Sequence, residues 1–164
     1  MTLGVIGDYF YCNNAEKISW IENCDVTYQK QFDVDSVENN ESLRFEGLDC
    51  YCDIYLNNIK IGAADDMFIP HEFSAENVLR AGANLLEVKF RSPIKEVAGR
   101  PKRDGAFTTE RLYTRREQCT YGWDWVTRFV TMGNAAMFLL KKERRTALIM
   151  FTYTPKALPH LRRR

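Results

Sequence analysis

The sequence carries almost no charge imbalance: 23 Lys and Arg stand against 22 Asp and Glu over 164 residues, a net charge of +1. No electrostatic footprint is left for nucleic acid or an anionic membrane, so neither partner is expected. Arg162-Arg163-Arg164 is the only basic run and reads as a solvated, frayed end. No stretch approaches the ~20 apolar residues of a membrane-spanning helix. Residues 1–12 (MTLGVIGDYFYC) have neither a basic start nor an apolar run of signal-peptide length. A cytoplasmic location is expected.

Catalytic signatures are missing as well. There is no G-x-S-x-G elbow, and no phosphate-binding loop or dinucleotide glycine pattern. The two histidines, His71 and His160, have no ligand spacing to the cysteines, so no metal and no cofactor are expected. Cys12, Cys24, Cys50, Cys52 and Cys119 are odd in number and lack framework spacing, which predicts reduced thiols. Cys50 and Cys52, two apart in a strand-like run, read as small buried hydrophobes facing the same way. Glycoside hydrolysis needs two carboxylates about 5–5.5 Å or about 6.5–9.5 Å apart. Pairs such as Asp65-Asp66 or Asp49/Asp53 can be nominated, but none sits in a recognisable nucleophile or acid motif. No activity is expected from this chain alone.

What is present is short alternating runs between polar turns. In residues 26–32 (VTYQKQF), Val26, Tyr28 and Phe32 share a face with Lys30, which must reach solvent or a partner. Leu43 and Phe45 face together, as do Cys50, Cys52, Ile54 and Leu56. Asn57-Asn58 tolerates the positive φ of a tight hairpin, with Ile59-Lys60-Ile61 as the returning strand. Leu86, Val88 and Phe90 alternate before Ser92-Pro93 stops the run. Residues 147–154 (ALIMFTYT) are apolar enough to be buried on both faces. One short helix is predicted over residues 75–80, capped by Ser74 and ended by Gly82. Many short strands and little helix predict an all-β sandwich or barrel in a single domain, 1–164.

Residues 94–113 break this pattern with Gly99, Pro101, Gly105 and clustered charge, and a loop of that length is usually functional or disordered. Directly after it comes Tyr121-Gly122-Trp123-Asp124-Trp125. Two tryptophans around a carboxylate suit a sugar. The apolar C–H face of a pyranose packs on an aromatic ring, and an ionised carboxylate accepts from two hydroxyls at once. The same spacing equally suits a strand with both tryptophans in the core and Asp124 pointing out. The two readings are compatible. Arg115 and Arg116 could each pair with a carboxylate, most simply at the surface.

Several strings, taken in order, resemble the sugar-binding domain of β-mannosidase-like family-2 glycoside hydrolases. Residues 18–22 (ISWIE) followed by 25–28 (DVTY) look like its opening. Residues 43–58 (LRFEGLDCYCDIYLNN) resemble its "leucine, any, phenylalanine, glutamate, glycine, leucine, aspartate" strand and the hairpin after it. Residues 66–70 (DMFIP), 82–88 (GANLLEV) with 91–93 (RSP), and 115–118 (RREQ) with 122–125 (GWDW) and Arg128 are similar to its later segments. The likeness runs over about residues 8–133, with 143–164 left as a last strand and basic tail.

The resemblance implies a galactose-binding-like jelly-roll β-sandwich packed on a separate catalytic (β/α) barrel that holds both catalytic glutamates. It implies that Asp124 contacts hydroxyls of a β-mannoside or related glycan. Trp123 and Trp125 would shape the wall, with Arg115 beside them. The sequence departs from the family at Val126-Thr127, where glycine-proline is usual, and at Asn134-Ala135-Ala136. No counterpart of the family's opening strand is recognised, which predicts an unpaired sheet edge and a route to homodimerisation. Two other readings stand beside this one. A stand-alone carbohydrate-binding module would bind sugar unaided, and a structural interaction domain would bury both tryptophans.

Overall fold

In the computed structural model, residues 11–38, 40–105, 108–134, 138–142 and 145–149 are described. Readings made at residues 1–10, Ala135-Ala136, 150–154, His160 and the arginine tail lie outside them.

Ten strands are described. They are β1 (Val26–Val34), β2 (Ser42–Phe45), β3 (Leu48–Asp49), β4 (Cys52–Leu56), β5 (Ile59–Ala64), β6 (His71–Ser74), β7 (Gly82–Phe90), β8 (Gly133–Asn134), β9 (Phe138–Lys142) and β10 (Arg145–Ile149). They form one sheet in the order β1-β7-β4-β5 and another in the order β10-β9-β2-β6. A two-residue ribbon, β3-β8, stands apart from both. Every pairing is antiparallel. The chain is an all-β sandwich, as its alternation predicts.

The period-2 pattern decides which faces meet. Tyr28, Phe32, Ile54, Leu56, Leu86, Val88 and Phe90 from the first sheet join Leu43, Phe45, Phe138 and Leu140 from the second in one buried cluster. Each large side chain removed from water there contributes about 1.5–3 kcal/mol. Phe32 of the first sheet meets Phe138 of the second edge-on at 6.2 Å between centroids, and within the second sheet Phe45 stacks on Phe138 at 5.6 Å and meets Phe73 edge-on at 6.0 Å. Gly62 on β5 is required by this packing, since a Cβ there would lie 2.1 Å from Cδ1 of Phe73. Cys50 and Cys52 are buried as expected, and all five cysteines are free thiols. Burial pushes the Cys50 and Cys52 thiols up to about 12, which makes them poor nucleophiles.

The hairpin forms where its sequence predicts. Asn57 and Asn58 have φ of 50° and 68°, and the Asn57 amide bonds Val78 O, Asn84 Oδ1 and the Leu85 N–H. The helix expected over residues 75–80 does not form. Val78 N and Leu79 N both donate to Ala75 O in a single turn, and Asn77 at φ 61° stops it from continuing. Gly82, at φ 84°, opens β7 rather than closing a helix.

Two short helices that the pattern did not reveal lie elsewhere. Helix α1 (Asn14–Ile18) runs into a 3-10 turn (Ser19–Asn23) that carries Trp20. Helix α2 (Pro93–Val97) follows β7, with Ser92 accepting from Lys95 N and Pro93 in the first turn. Asp25 in turn accepts from Ser92 N at 3.0 Å, so the start of β1 and the end of β7 share one corner.

Candidate functional site

The site grows from the segment between α2 and β8, which crosses the end of the sandwich. Its first part has little regular structure but is pinned from both sides. Tyr51 donates to Tyr113 O at 3.0 Å and Tyr113 donates to Pro101 O at 2.9 Å. The 3-10 turns Glu110–Leu112 and Gln118–Tyr121 follow. Arg115 and Met67 then exchange backbone contact, with Met67 N donating to Arg115 O at 3.0 Å. Through that bond the 66–70 loop, whose Phe68 and Ile69 are exposed, is tied to the same segment.

Beyond Tyr121 the chain turns outward. Gly122 has φ 93° and ψ 148°, a conformation open essentially to glycine. A Cβ there would also press on Arg128 Cβ at 3.3 Å. Trp123 N then donates to Val126 O at 2.9 Å and Val126 N to Trp123 O at 3.3 Å. Asp124 and Trp125 are thus the two residues at the tip of a tight turn. Phe129 N donates to Thr120 O at 2.9 Å and closes the base. Val126, at the family's glycine position, completes the turn through its backbone alone, which any residue supplies.

This geometry corrects the strand reading. Trp123 is 46% exposed and Trp125 64%, so neither belongs to the core. The alternation does not become burial here because Trp123 and Val126 form an isolated bridge outside the described strands. The indoles stand 6.5 Å apart at 55°, with the Arg111 guanidinium 4.8 Å over the Trp123 ring. That cation–π contact holds one indole in place while leaving much of it open. The exposed Asp124 carboxylate lies between them in sequence. An aromatic pair around a solvated acceptor is the arrangement a pyranose needs: apolar area for the ring, lone pairs for the hydroxyls.

Arg115 behaves as expected at the surface. It is 70% exposed and its Nη1 lies 3.7 Å from Asp66 Oδ2, a pair worth under about 1 kcal/mol. Its neighbour differs. Arg116 is fully buried and donates from Nη2 to Asp49 Oδ2 at 2.9 Å. Burial lifts the Asp49 carboxyl to about 6, against the pull of Arg116. Tyr121 lies beside them, its hydroxyl 2.7 Å from Thr114 Oγ1 and its ring 5.5 Å from the guanidinium carbons of both Arg116 and Arg128. Arg128 also donates to Glu22 Oε2 at 2.8 Å and to Tyr121 O at 3.4 Å.

The other nominated carboxylates are held structurally. Asp53 pairs with Arg91 and Lys60, and Asp66 accepts from Phe68 N. Asp49, Arg111, Tyr121 and Arg128 were missed as site residues. The stacking of Arg111 on Trp123 and of Arg128 on Tyr121, and the pairing of Asp49 with Arg116, span 7 to 67 residues of chain, so no local pattern marked them.

The Glycosyl hydrolase 2 galactose-binding domain-like family matches residues 1–135, and the chain belongs to that family. It is 31% identical over 145 residues to a beta-mannosidase of Capra hircus, covering 79% of this chain. It is 31% identical over 139 residues to beta-mannosidase B of Thermothelomyces thermophilus. The crystal structure of beta-D-mannosidase from Dictyoglomus thermophilum superimposes with a TM-score of 0.78 at 37% identity, over 84% of this chain and 18% of that one. The chain spans 16% of the length of these curated relatives, so it corresponds to one accessory domain of such enzymes.

Proposed function

We propose that the chain serves a β-mannosidase-like glycoside hydrolase by presenting the 123–126 turn to a β-mannoside or related glycan bound in a catalytic (β/α) barrel. The observation that carries this is the exposed pair Trp123 and Trp125 around Asp124 at the tip of a braced turn. Asp124 accepts from sugar hydroxyls, while the indoles wall one side. Arg115 lies upstream on the same braced segment, available to the glycan or to the barrel rim. The relatives named beta-mannosidases support the substrate class. A single convex turn buries too little of a monosaccharide to bind it well unaided, so the barrel supplies the opposite wall.

The test is tryptophan emission during titration with a β-mannoside, in the full-length polypeptide and in this chain by itself. A saturable change in the full-length protein that Trp123→Phe diminishes and that is lost when Trp125→Phe is added is expected, with no change in the chain alone. Binding to the chain alone tighter than about 1 mM, roughly −4 kcal/mol, overturns the reading in favour of an independent carbohydrate-binding module.

A further inference from the structure

Beneath the turn lies a group that neither the core nor the sugar-contacting surface uses. Arg116 has no exposed side-chain area. Of its donors, Nη2 reaches Asp49, while Nε and Nη1 have no partner among the described residues. Oδ1 of Asp49 is likewise buried without a partner there. Withdrawing two charges from water with so few bonds in return is unfavourable, and an apolar side chain would fill the space without that penalty. Packing therefore does not account for a guanidinium here. What a guanidinium adds is simultaneous attraction to the Asp49 carboxylate and to the face of the Tyr121 ring.

Both ends of that attraction matter for the turn. Asp49 sits on β3, whose partner β8 begins at Gly133, just after the site segment rejoins the sandwich. Tyr121 is the residue before Gly122, where the chain swings outward. We infer that Arg116 is a positioning residue: clamped by Asp49, it fixes the Tyr121 ring and so sets the pitch at which the 123–126 turn leaves the sandwich. This rests on the reading of that turn as the substrate-contacting element and names what aims it. Thr114 fixes the Tyr121 hydroxyl, and Arg128, tethered to Glu22, fixes its carbonyl. Arg116 fixes the ring against the β3-β8 ribbon.

The indole pair reports the pitch directly, because two indoles 6.5 Å apart at 55° couple their transitions and give a circular-dichroism couplet. That signal is read in this chain without sugar, so it stands or falls separately from the mannoside reading. Trp125→Phe assigns the couplet by removing it. Arg116→Lys keeps a cation between Asp49 and Tyr121 and is expected to retain most of the couplet. Arg116→Met keeps the bulk and loses the charge, and is expected to lose most of it while still unfolding cooperatively. Should Arg116→Met fail to fold, Asp49→Asn cuts the clamp from the other end with its shape kept, and the same loss is expected. A folded Arg116→Met or Asp49→Asn with the native couplet overturns the proposal.

Discussion

Residues 52–56 and 121–125 carry the same outward signal, apolar side chains two apart around an aspartate, yet they end in opposite places. Cys52, Ile54 and Leu56 are fully buried with Asp53 on the outer face. Trp123 and Trp125 are exposed with Asp124 between them. The difference is in the neighbours. Strand β4 lies between β5 and β7, hydrogen-bonded on both sides, with the second sheet beneath it. The 123–126 segment closes on its own Trp123–Val126 bridge and belongs to no strand of either sheet. Alternation becomes burial only where a ladder holds the strand flat against another layer. Where it does not, the same side chains become a presented surface, held up by polar contacts from below.

Substitutions can break this contrast one side at a time. The largest effect is expected in the core. Phe45→Ala, which removes the ring between Phe138 and Phe73, is expected to destabilise by about 3–5 kcal/mol in urea denaturation. Gly122→Ala tests the hinge instead. Its φ of 93° and the 3.3 Å approach to Arg128 are expected to cost about 1–3 kcal/mol and to displace the indoles, seen as a changed near-ultraviolet spectrum.

A smaller effect follows from Asp49, whose carboxyl is lifted from 3.8 to about 6 by burial, opposed by Arg116 and reinforced by Glu117. Cys50 and Tyr121, both pushed up to about 12, also lie in this cluster and stay neutral in the same range. Because the folded state holds the proton more tightly than the unfolded chain, this group stabilises most below about 4. That contribution is lost as pH rises to about 6 and is flat above it. Between pH 7 and pH 5 the native chain should gain about 1 kcal/mol relative to Asp49→Asn in paired denaturation curves. Arg116→Met removes the opposing cation and should carry the window to higher pH. The pair thus lowers stability at neutral pH while holding geometry, the reverse of the core's bargain. Smallest of all, Trp125→Ala should change unfolding free energy by no more than about 0.5 kcal/mol, as for other exposed side chains.

How far the sequence foretold the molecule follows from the range of the interactions. The Asn57-Asn58 hairpin was legible because positive φ at two asparagines is a local preference. Strands β1, β4 and β7 were legible because one face of each is buried and the period is two. Helix α2 could have been read from Ser92-Pro93, a cap followed by the proline that suits a first turn. The site was legible in composition but not in posture. The contacts beneath the turn are distant in sequence: Arg116 meets Asp49, 67 residues upstream, and Arg128 meets Glu22, 106 residues upstream. Nothing at the string itself encodes those partners. The expected helix at residues 75–80 failed for a local reason that was visible: Asn77 readily takes the left-handed φ that ends a turn.

If the turn serves function and not the fold, Asp124→Ala in the full-length polypeptide separates the two, read by its kinetics with a β-mannoside substrate beside its unfolding curve. Loss of a carboxylate that accepts from sugar hydroxyls should lower kcat/KM by about 10- to 100-fold and leave the unfolding midpoint unmoved. Unchanged kcat/KM would mean that Asp124 does not contact the sugar.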